Sequence, residues 1–323
     1  MLDLTKIHPG DRVQHELLVL DRTDKETRDG KPFAQLTLGN ASGRVETAPV
    51  WSEQLPWVAG AAKGVVVQAI GKISEYAGKR QLSLTAPLRV LPKEATRAES
   101  FLPRIAREPE ELWHWVDQQR AALKSSRLRV ALDLFFADDA FRQDFQRTPG
   151  SITRHHAQVG GLLLHSVEVA SIAQGIARTM HASVDLVTVG ALLHDIGKVE
   201  TYSVSAAGFG NTSAGNLLGH IVLGTVMLDR RLRALPAGTF TGDQELELQH
   251  FIQSHHGSVE FGAAVPPMTL EAEIVHWADE ASAKAADVTD ALAEDEYFGD
   301  DPFSSRRPWR VQKRLWRRPH GWE

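Results

Sequence analysis

Leu192-Leu193-His194-Asp195-Ile196-Gly197-Lys198 closes an apolar helical run that begins at Val184. Adjacent His and Asp at the end of such a run are costly to bury unless they are paired or hold a metal ion. A single buried His-Asp pair is the plain reading of the dipeptide taken alone, but its company points further. Upstream, His165 sits in Gly160-Gly161-Leu162-Leu163-Leu164-His165-Ser166, on a helical stretch whose other inward positions, Val159, Leu162, Val169, Ile172 and Ile176, are apolar. Downstream come His220 in Leu217-Leu218-Gly219-His220-Ile221, the pair His255-His256 after Phe251-Ile252, and Asp279 in Trp277-Ala278-Asp279-Glu280. Each falls on or at the end of a separate predicted helix with an apolar face. One histidine on such a face is ordinarily a satisfied core residue, whereas a series of them on several helices is how bundles build metal sites.

The 323-residue length suits two domains. Hydrophobic residues at 42% and charged residues at 24% are ordinary globular values and exclude a fibrous or wholly disordered chain. Cysteine is absent, which excludes disulfides, a thiolate nucleophile and Cys-ligated zinc, so any metal must rest on His, Asp or Glu. Ten of the 14 histidines fall between 155 and 276, which concentrates the ligand supply in one region. The net charge of −5 would disfavour a nucleic-acid partner if charge were spread evenly. It is not: residues 287–301 hold seven acids and 306–318 hold seven Lys or Arg. No apolar run approaches the roughly 18 residues of a membrane span. The opening MLDLTKIHPGDR lacks the basic and apolar regions of a signal peptide, so a cytoplasmic protein is expected.

From Gly10 to about Pro92 the period is near two, with runs Val13–Asp21, Phe33–Leu38, Gly43–Trp51, Val65–Tyr76 and Arg80–Val90 and turn signals at Pro9-Gly10, Asp29-Gly30 and Ala77-Gly78. Such a set suits an N-terminal all-β OB-fold barrel, with an SH3-like barrel or another small β-domain as the alternative. The domain is bounded at 1–92, and a charged linker with Pro103 and Pro109 spans 93–109. From 110 to 300 the apolar spacing turns helical, over Glu110–Arg129, Asp138–Gln146, Ala157–Met180, Val184–Ile196, Asn216–Leu235, Asp243–His255 and Leu270–Leu292. An all-α bundle is expected there, followed by a basic, Trp-containing tail at 301–323.

The order H…HD…H…HH…D resembles the HD-domain superfamily of metal-dependent phosphohydrolases. Ser254-His255-His256-Gly257-Ser258-Val259-Glu260-Phe261-Gly262, Pro267-Met268-Thr269-Leu270-Glu271-Ala272 and Ala278-Asp279 narrow this to a resemblance to the YhaM-type 3′-to-5′ exoribonucleases, which join an OB-fold to an HD domain. Gly30-Lys31-Pro32-Phe33, Leu36-Thr37-Leu38, Ser42-Gly43 and Trp51 fit that family's barrel pattern. The resemblance runs from about residue 8 to residue 293. The chain departs from the family at Leu164, Asn40 and Glu280-Ala281-Ser282-Ala283-Lys284, where Glu, Asp and Leu-Asp-Ala-Lys are more usual. None of these is a proposed ligand.

The resemblance implies that His165, His194, Asp195 and Asp279 hold one divalent ion, and that Asp195 bridges to a second supported by His220 and His255 or His256. It implies manganese. The imidazole and carboxylate donors also admit iron, nickel, cobalt or zinc and argue against a calcium or all-oxygen magnesium cage. Two such ions can activate water and stabilise the attacking and leaving oxygens of an in-line displacement at phosphorus, with no protein nucleophile. Beside Asp195, the candidate catalytic residues are Lys198 and His156. The Lys198 ammonium can meet a non-bridging phosphate oxygen, or else be a solvated helix-end lysine. His155 and His156 can contact substrate or protonate a leaving oxygen, or else be an exposed capping segment.

An OB barrel binds single strands by stacking bases on aromatics in a basic groove. Candidates are Phe33, Trp51 and Tyr76 for bases, with Trp51 the one most exposed to a core reading, and Lys31, Lys72, Lys79 and Arg80 for phosphates. The tail interleaves arginines with Trp309 and Trp316, suited either to RNA contact or to docking as a helix through Trp309, Val311 and Trp316 on the acidic segment before it. The expected activity is hydrolysis of single-stranded RNA from the 3′ end, with single-stranded DNA as a second substrate, no membrane partner, and a homo-oligomer left open. The competing readings are a small-nucleotide or cyclic-nucleotide phosphohydrolase, and a nucleic-acid-binding regulator whose metal site is structural. Against a cyclic-dinucleotide enzyme, Gly257-Ser258-Val259 follows the histidine pair where that class carries Gly-Tyr-Pro.

Overall fold

The computed structural model describes residues 2–27, 29–76, 78–92, 98–205 and 208–322. Ala77 of the expected turn and 93–97 of the expected linker lie outside the described residues. The chain divides into two compact units, 1–104 with 204–210, and 105–203 with 211–323. No described helix is long and apolar enough to cross a membrane.

The first unit carries β1 (Arg12–Glu26), β2 (Pro32–Asn40), β3 (Gly43–Thr47), β4 (Val50–Trp51), β5 (Val66–Tyr76), β6 (Lys79–Leu84) and β7 (Arg89–Val90). β1 pairs with β5 over Arg12–Leu18 and with β2 from Leu18 onward. Its register against β2 slips between Val19 and Asp21, and such a bulge bends a strand from one partner toward the next. β2 continues to β3, β3 pairs in parallel with β6, and β6 returns to β5. The result is a closed five-stranded OB-like barrel. Val13, Leu17, Val19, Leu36, Leu38, Val67, Ile73 and Leu82 fill it, as the period of two requires. Two of the expected runs are each divided: Pro49 separates β3 from β4 and Pro87 separates β6 from β7, because proline has no N–H for the ladder.

The second unit holds α1 (Pro109–Ala122), α2 (Ser126–Phe136), α3 (Asp139–Arg147), α4 (Gly161–Met180), α5 (Val184–Leu193), α6 (Lys198–Thr201), α7 (Ser213–Arg233), α8 (Gly242–Ser254) and α9 (Leu270–Ala293). Between α6 and α7 the chain forms the hairpin β8 (Tyr202–Ser205) and β9 (Gly208–Asn211), which the helical spacing does not predict. The side chains of Ser125, Ser183, Thr212, Thr241 and Thr269 accept backbone N–H bonds at the starts of α2, α5, α7, α8 and α9, satisfying donors a helix leaves open. The Ser125 cap is why the expected Glu110–Arg129 helix becomes two. Phe135, Phe136, Phe141, Phe145 and Trp113 pack ring against ring, and α5, almost wholly apolar, is buried among its neighbours.

Two glycines set where α7 lies. Gly197, in the turn after α5, runs so close to α7 that a Cβ there would stand 2.0 Å from His220 O and 2.4 Å from Gly224 N. Gly219 (φ 72°, ψ 165°) breaks α7 just before His220, a conformation costly for any residue with a Cβ.

The basic tail is not a helix. Arg306, Arg310 and Arg317 pair with Glu296, Glu294 and Asp295 at 3.0, 2.7 and 3.0 Å. Leu315 is its buried apolar anchor, while Trp309 and Trp316 stay half exposed.

Gly197→Ala is expected to destabilise the protein by about 1–3 kcal/mol, because backbone atoms cannot step aside for the added methyl. Urea unfolding measures this, and a wild-type midpoint would contradict the close approach.

Candidate metal and catalytic site

Asp195 follows the last turn of α5, and its two carboxylate oxygens face different partners. Oδ2 lies 3.1 Å from His194 Nε2 and 3.6 Å from His165 Nε2 on α4. Oδ1 lies 3.6 Å from His220 Nε2 on α7 and 3.6 Å from His255 Nε2 at the end of α8. On α9, Asp279 places Oδ1 3.0 Å from His165 Nε2 and 3.9 Å from His194 Nε2. His165, His194 and Asp279 thus form one group of converging donor atoms, and His220, His255 and His256 form another.

The ring protons are assigned by what the other nitrogen touches. His194 Nδ1 donates to Ala191 O (2.6 Å) and His255 Nδ1 to Ile252 O (2.9 Å). A carbonyl only accepts, so in the neutral ring each Nε2 turns a lone pair toward Asp195. His220 Nε2 and His255 Nε2 are 3.4 Å apart. Buried His165 Nε2, His194 Nε2 and Asp195 Oδ1 have no hydrogen-bond partner among the described residues. Lone pairs facing a carboxylate at these distances repel unless a cation lies between them. The nitrogen and oxygen donor set is one that divalent transition metals take, so these residues fit a metal.

Charge is distributed accordingly. Burial opposes ionisation of Asp195, but Lys198 and His194 more than offset it and hold its pKa well below the usual carboxylate range. Asp279 is likewise lowered: burial opposes ionisation and His165 outweighs it. Burial lowers His165 and His255 and pushes His220 down to about 3, keeping these imidazoles neutral. His194 goes the other way in the metal-free chain: burial opposes its charge, but Asp195, Asp279 and the Ala191 carbonyl together raise its pKa, so a proton on Nε2 stands where a metal ion would take the lone pair.

Lys198 is buried at the start of α6 with Nζ 2.6 Å from Asp195 Oδ2, which overturns the reading of it as a solvated helix-end lysine. Burial opposes its charge, and Asp195 and Tyr202 raise its pKa nonetheless. His155 and His156 are not an exposed capping segment either. Their rings pack on His165 at 5.7 and 5.2 Å, and His156 Nε2 lies 3.1 Å from Glu168 Oε2. His155 Nδ1 approaches Asp287 Oδ2 at 3.8 Å. This is not an ion pair, since burial pushes His155 down to about 3 and raises Asp287.

Comparison with known proteins agrees with this geometry. The HD domain family matches residues 162–284, the span that contains every residue of both histidine groups, and that family implies dependence on a divalent metal. The chain is 32% identical over 278 residues to the 3′-5′ exoribonuclease YhaM of Bacillus subtilis, covering 85% of this chain and 86% of that protein. It is 30% identical over 288 residues to the protein of the same name from a Geobacillus species (88% and 86% covered), and 30% identical over 275 residues to that of Listeria monocytogenes (84% and 84%). The chain belongs to the YhaM family. No solved structure gives a significant match.

Family membership brings the barrel surface into question. Phe33 and Trp51 lie together, ring centroids 5.2 Å apart. Trp51 is 46% exposed and Tyr76 74% exposed, so the core reading of Trp51 is overturned: at the end of the two-residue β4 it points out of the barrel. Lys31, Lys72 and Lys79 are exposed. Arg80 is partly committed elsewhere, its Nη1 donating to Ile7 O at 2.8 Å.

Two residues near the YhaM-family site, Glu168 and Tyr202, escape the sequence reading, and Ser282 enters it only as part of the departure at 280–284. Glu168 and Ser282 each stand three residues beyond a site residue, His165 and Asp279, on the same helix face, and that spacing was the available signal. Tyr202, at the start of β8, lies close enough to Lys198 to influence its charge, and nothing in its sequence context marks it.

For the metal-free protein, His155 and His220 remain neutral down to about pH 3, whereas in the unfolded chain they take up protons near pH 6.5. The unfolded state then binds more protons between these values, so stability falls as pH drops from about 6.5 toward 4. Thermal unfolding in chelator should show Tm falling across that window, with a shallower slope in His155→Asn. His194, with its raised pKa, contributes in the opposite sense, being lost as pH rises through its folded value. A flat profile would contradict the burial of these imidazoles.

Proposed function

We propose that the protein is a metal-dependent 3′-to-5′ exoribonuclease that hydrolyses the phosphodiester bonds of single-stranded RNA. The observation that carries this is Asp195, buried with one oxygen toward the His165 and His194 imidazoles and the other toward His220 and His255, in a chain whose relatives are named 3′-5′ exoribonucleases. Its place of action is the cytoplasm. The working arrangement is a strand-binding barrel at 1–92, a linker at 93–109, a cleaving HD domain at 110–300 and a basic tail at 301–323.

His165, His194, Asp195 and Asp279 would hold one ion and Asp195, His220, His255 and His256 a second, with manganese as the metal. When bound, such ions lower the pKa of water and neutralise charge on the phosphoryl group. The remaining work falls to this chain's own side chains. Lys198, held charged against Asp195, donates from Nζ to a non-bridging phosphate oxygen as negative charge builds there. His156, whose Nε2 proton is held by Glu168, orients the reacting end of the strand beside His165. Burial excludes bulk water, which strengthens each of these contacts. Phe33, Trp51 and Tyr76 offer ring faces to successive bases, and Lys31, Lys72 and Arg80 supply positive charge along the phosphates.

Asp195→Ala is expected to remain folded and to shorten 5′-labelled RNA from its 3′ end at least about a hundredfold more slowly in manganese, with chelator abolishing wild-type shortening. A folded variant that shortens the RNA at the wild-type rate would overturn the assignment. Parallel reactions with labelled DNA and cyclic dinucleotides decide between substrates.

Trp51→Ala should raise KM for a long RNA by about five- to a hundredfold, the value of one stacked base. Hydrolysis of a short phosphodiester such as bis-p-nitrophenyl phosphate should be unchanged. Equal losses on both substrates would argue against strand binding by the barrel.

A further inference from the structure

The three imidazoles with an Nδ1 contact around Asp195 are anchored in two different ways. His194 and His255 give Nδ1–H to carbonyls of their own helices, Ala191 O and Ile252 O. His165 has a side chain instead: its Nδ1 lies 3.0 Å from Ser282 Oγ on α9, and that hydroxyl donates onward to Glu168 Oε2 at 2.8 Å. The same Glu168 carboxylate receives His156 Nε2 at 3.1 Å. Both Ser282 and His165 are buried, so no bulk water substitutes for a missing partner.

A serine hydroxyl has one proton and can face either way. On its own it would leave His165 free to carry its proton on Nδ1 or on Nε2. Glu168 removes the ambiguity, because an ionised carboxylate only accepts. The Ser282 proton must point to Glu168, the Ser282 oxygen must then accept from His165, and the His165 proton must sit on Nδ1. His165 Nε2 is left with its lone pair directed at Asp279 and Asp195.

We infer that Glu168 is a positioning residue which, through Ser282, sets the tautomer and ring orientation of His165 for metal binding. The inference rests on the metal-site reading above, but it concerns only the affinity of the His165, His194 and Asp279 group and not what is hydrolysed. Replacing the acid by its amide, as in Glu168→Gln, reverses the relay. The amide NH2 can donate to Ser282, which then donates to His165 Nδ1 and moves the ring proton to Nε2, where it blocks ligation.

The test is a double-mutant cycle read by manganese titration against a fluorescent chelator, using the full chain with no RNA present. Glu168→Gln and Ser282→Ala should each weaken one class of manganese site by about 10- to 100-fold, the usual cost of losing the outer partner of a ligating histidine. The double variant should be no weaker than the worse single one, since both break the same relay. A Glu168→Gln variant with wild-type manganese affinity overturns the inference, and so do losses that multiply in the double variant, which would mean two independent roles. Wild-type protein that binds manganese in this pattern yet leaves RNA intact would instead sink the exoribonuclease reading and leave this one standing.

Discussion

A carboxylate held away from water, with imidazole lone pairs on both sides, is the constraint from which the helical unit is organised. Asp195 cannot be neutralised by protonation without giving up Lys198 and His194, and it cannot be hydrated where it lies. Lys198 on α6 meets its charge directly, and imidazoles brought from α4, α7 and α8 converge on its two oxygens. The carbonyls of Ala191 and Ile252 and the Ser282 hydroxyl each accept a hydrogen bond from the far side of a ring, so the near side is left as a donor to metal. Unfavourable contacts between lone pairs and carboxylate are thereby retained inside a well-packed core, a pattern expected where function overrides stability.

Packing determines how such contacts are tolerated. The aromatic cluster of α1, α2 and α3 and the apolar body of α5 form a rigid support, and sites carried on rigid elements keep their geometry. Gly197 lets the turn after α5 touch the backbone of α7, and the break at Gly219 re-aims the chain as it reaches His220. The histidine that faces Asp195 Oδ1 from α7 therefore depends on two residues with no side chain at all.

The overall charge of −5 carries little functional meaning once charges are placed. Arg306, Arg310 and Arg317 are taken up by Glu296, Glu294 and Asp295, so the tail's positive sequence overstates its positive surface. Asp195 and Asp279 add to the negative sum while belonging to a centre suited to an anionic substrate. In the barrel, the outward rings of Trp51 and Tyr76 contrast with the filled interior, a separation that β-strand alternation makes automatic.

Residue spacing alone was enough to read a β-barrel before a helical bundle and to pick His165, His194, Asp195, His220, His255, His256 and Asp279 as a set. The periods of two and 3.6 are local properties, and ionisable groups on apolar faces stand out against them. Strand and helix breaks at Pro49, Pro87 and Ser125 were written in the chain but lay inside runs whose hydrophobic pattern continued across them. The hairpin β8–β9 carried no comparable periodic signal in its few residues. Only the tertiary structure decided that Lys198, His155 and His156 face inward, that Trp51 faces out, and that Glu168 and Ser282 stand behind His165. Those outcomes depend on which helix faces are pressed together across more than a hundred residues of chain. Local spacing specifies the faces, whereas the choice of which faces meet belongs to the packed core.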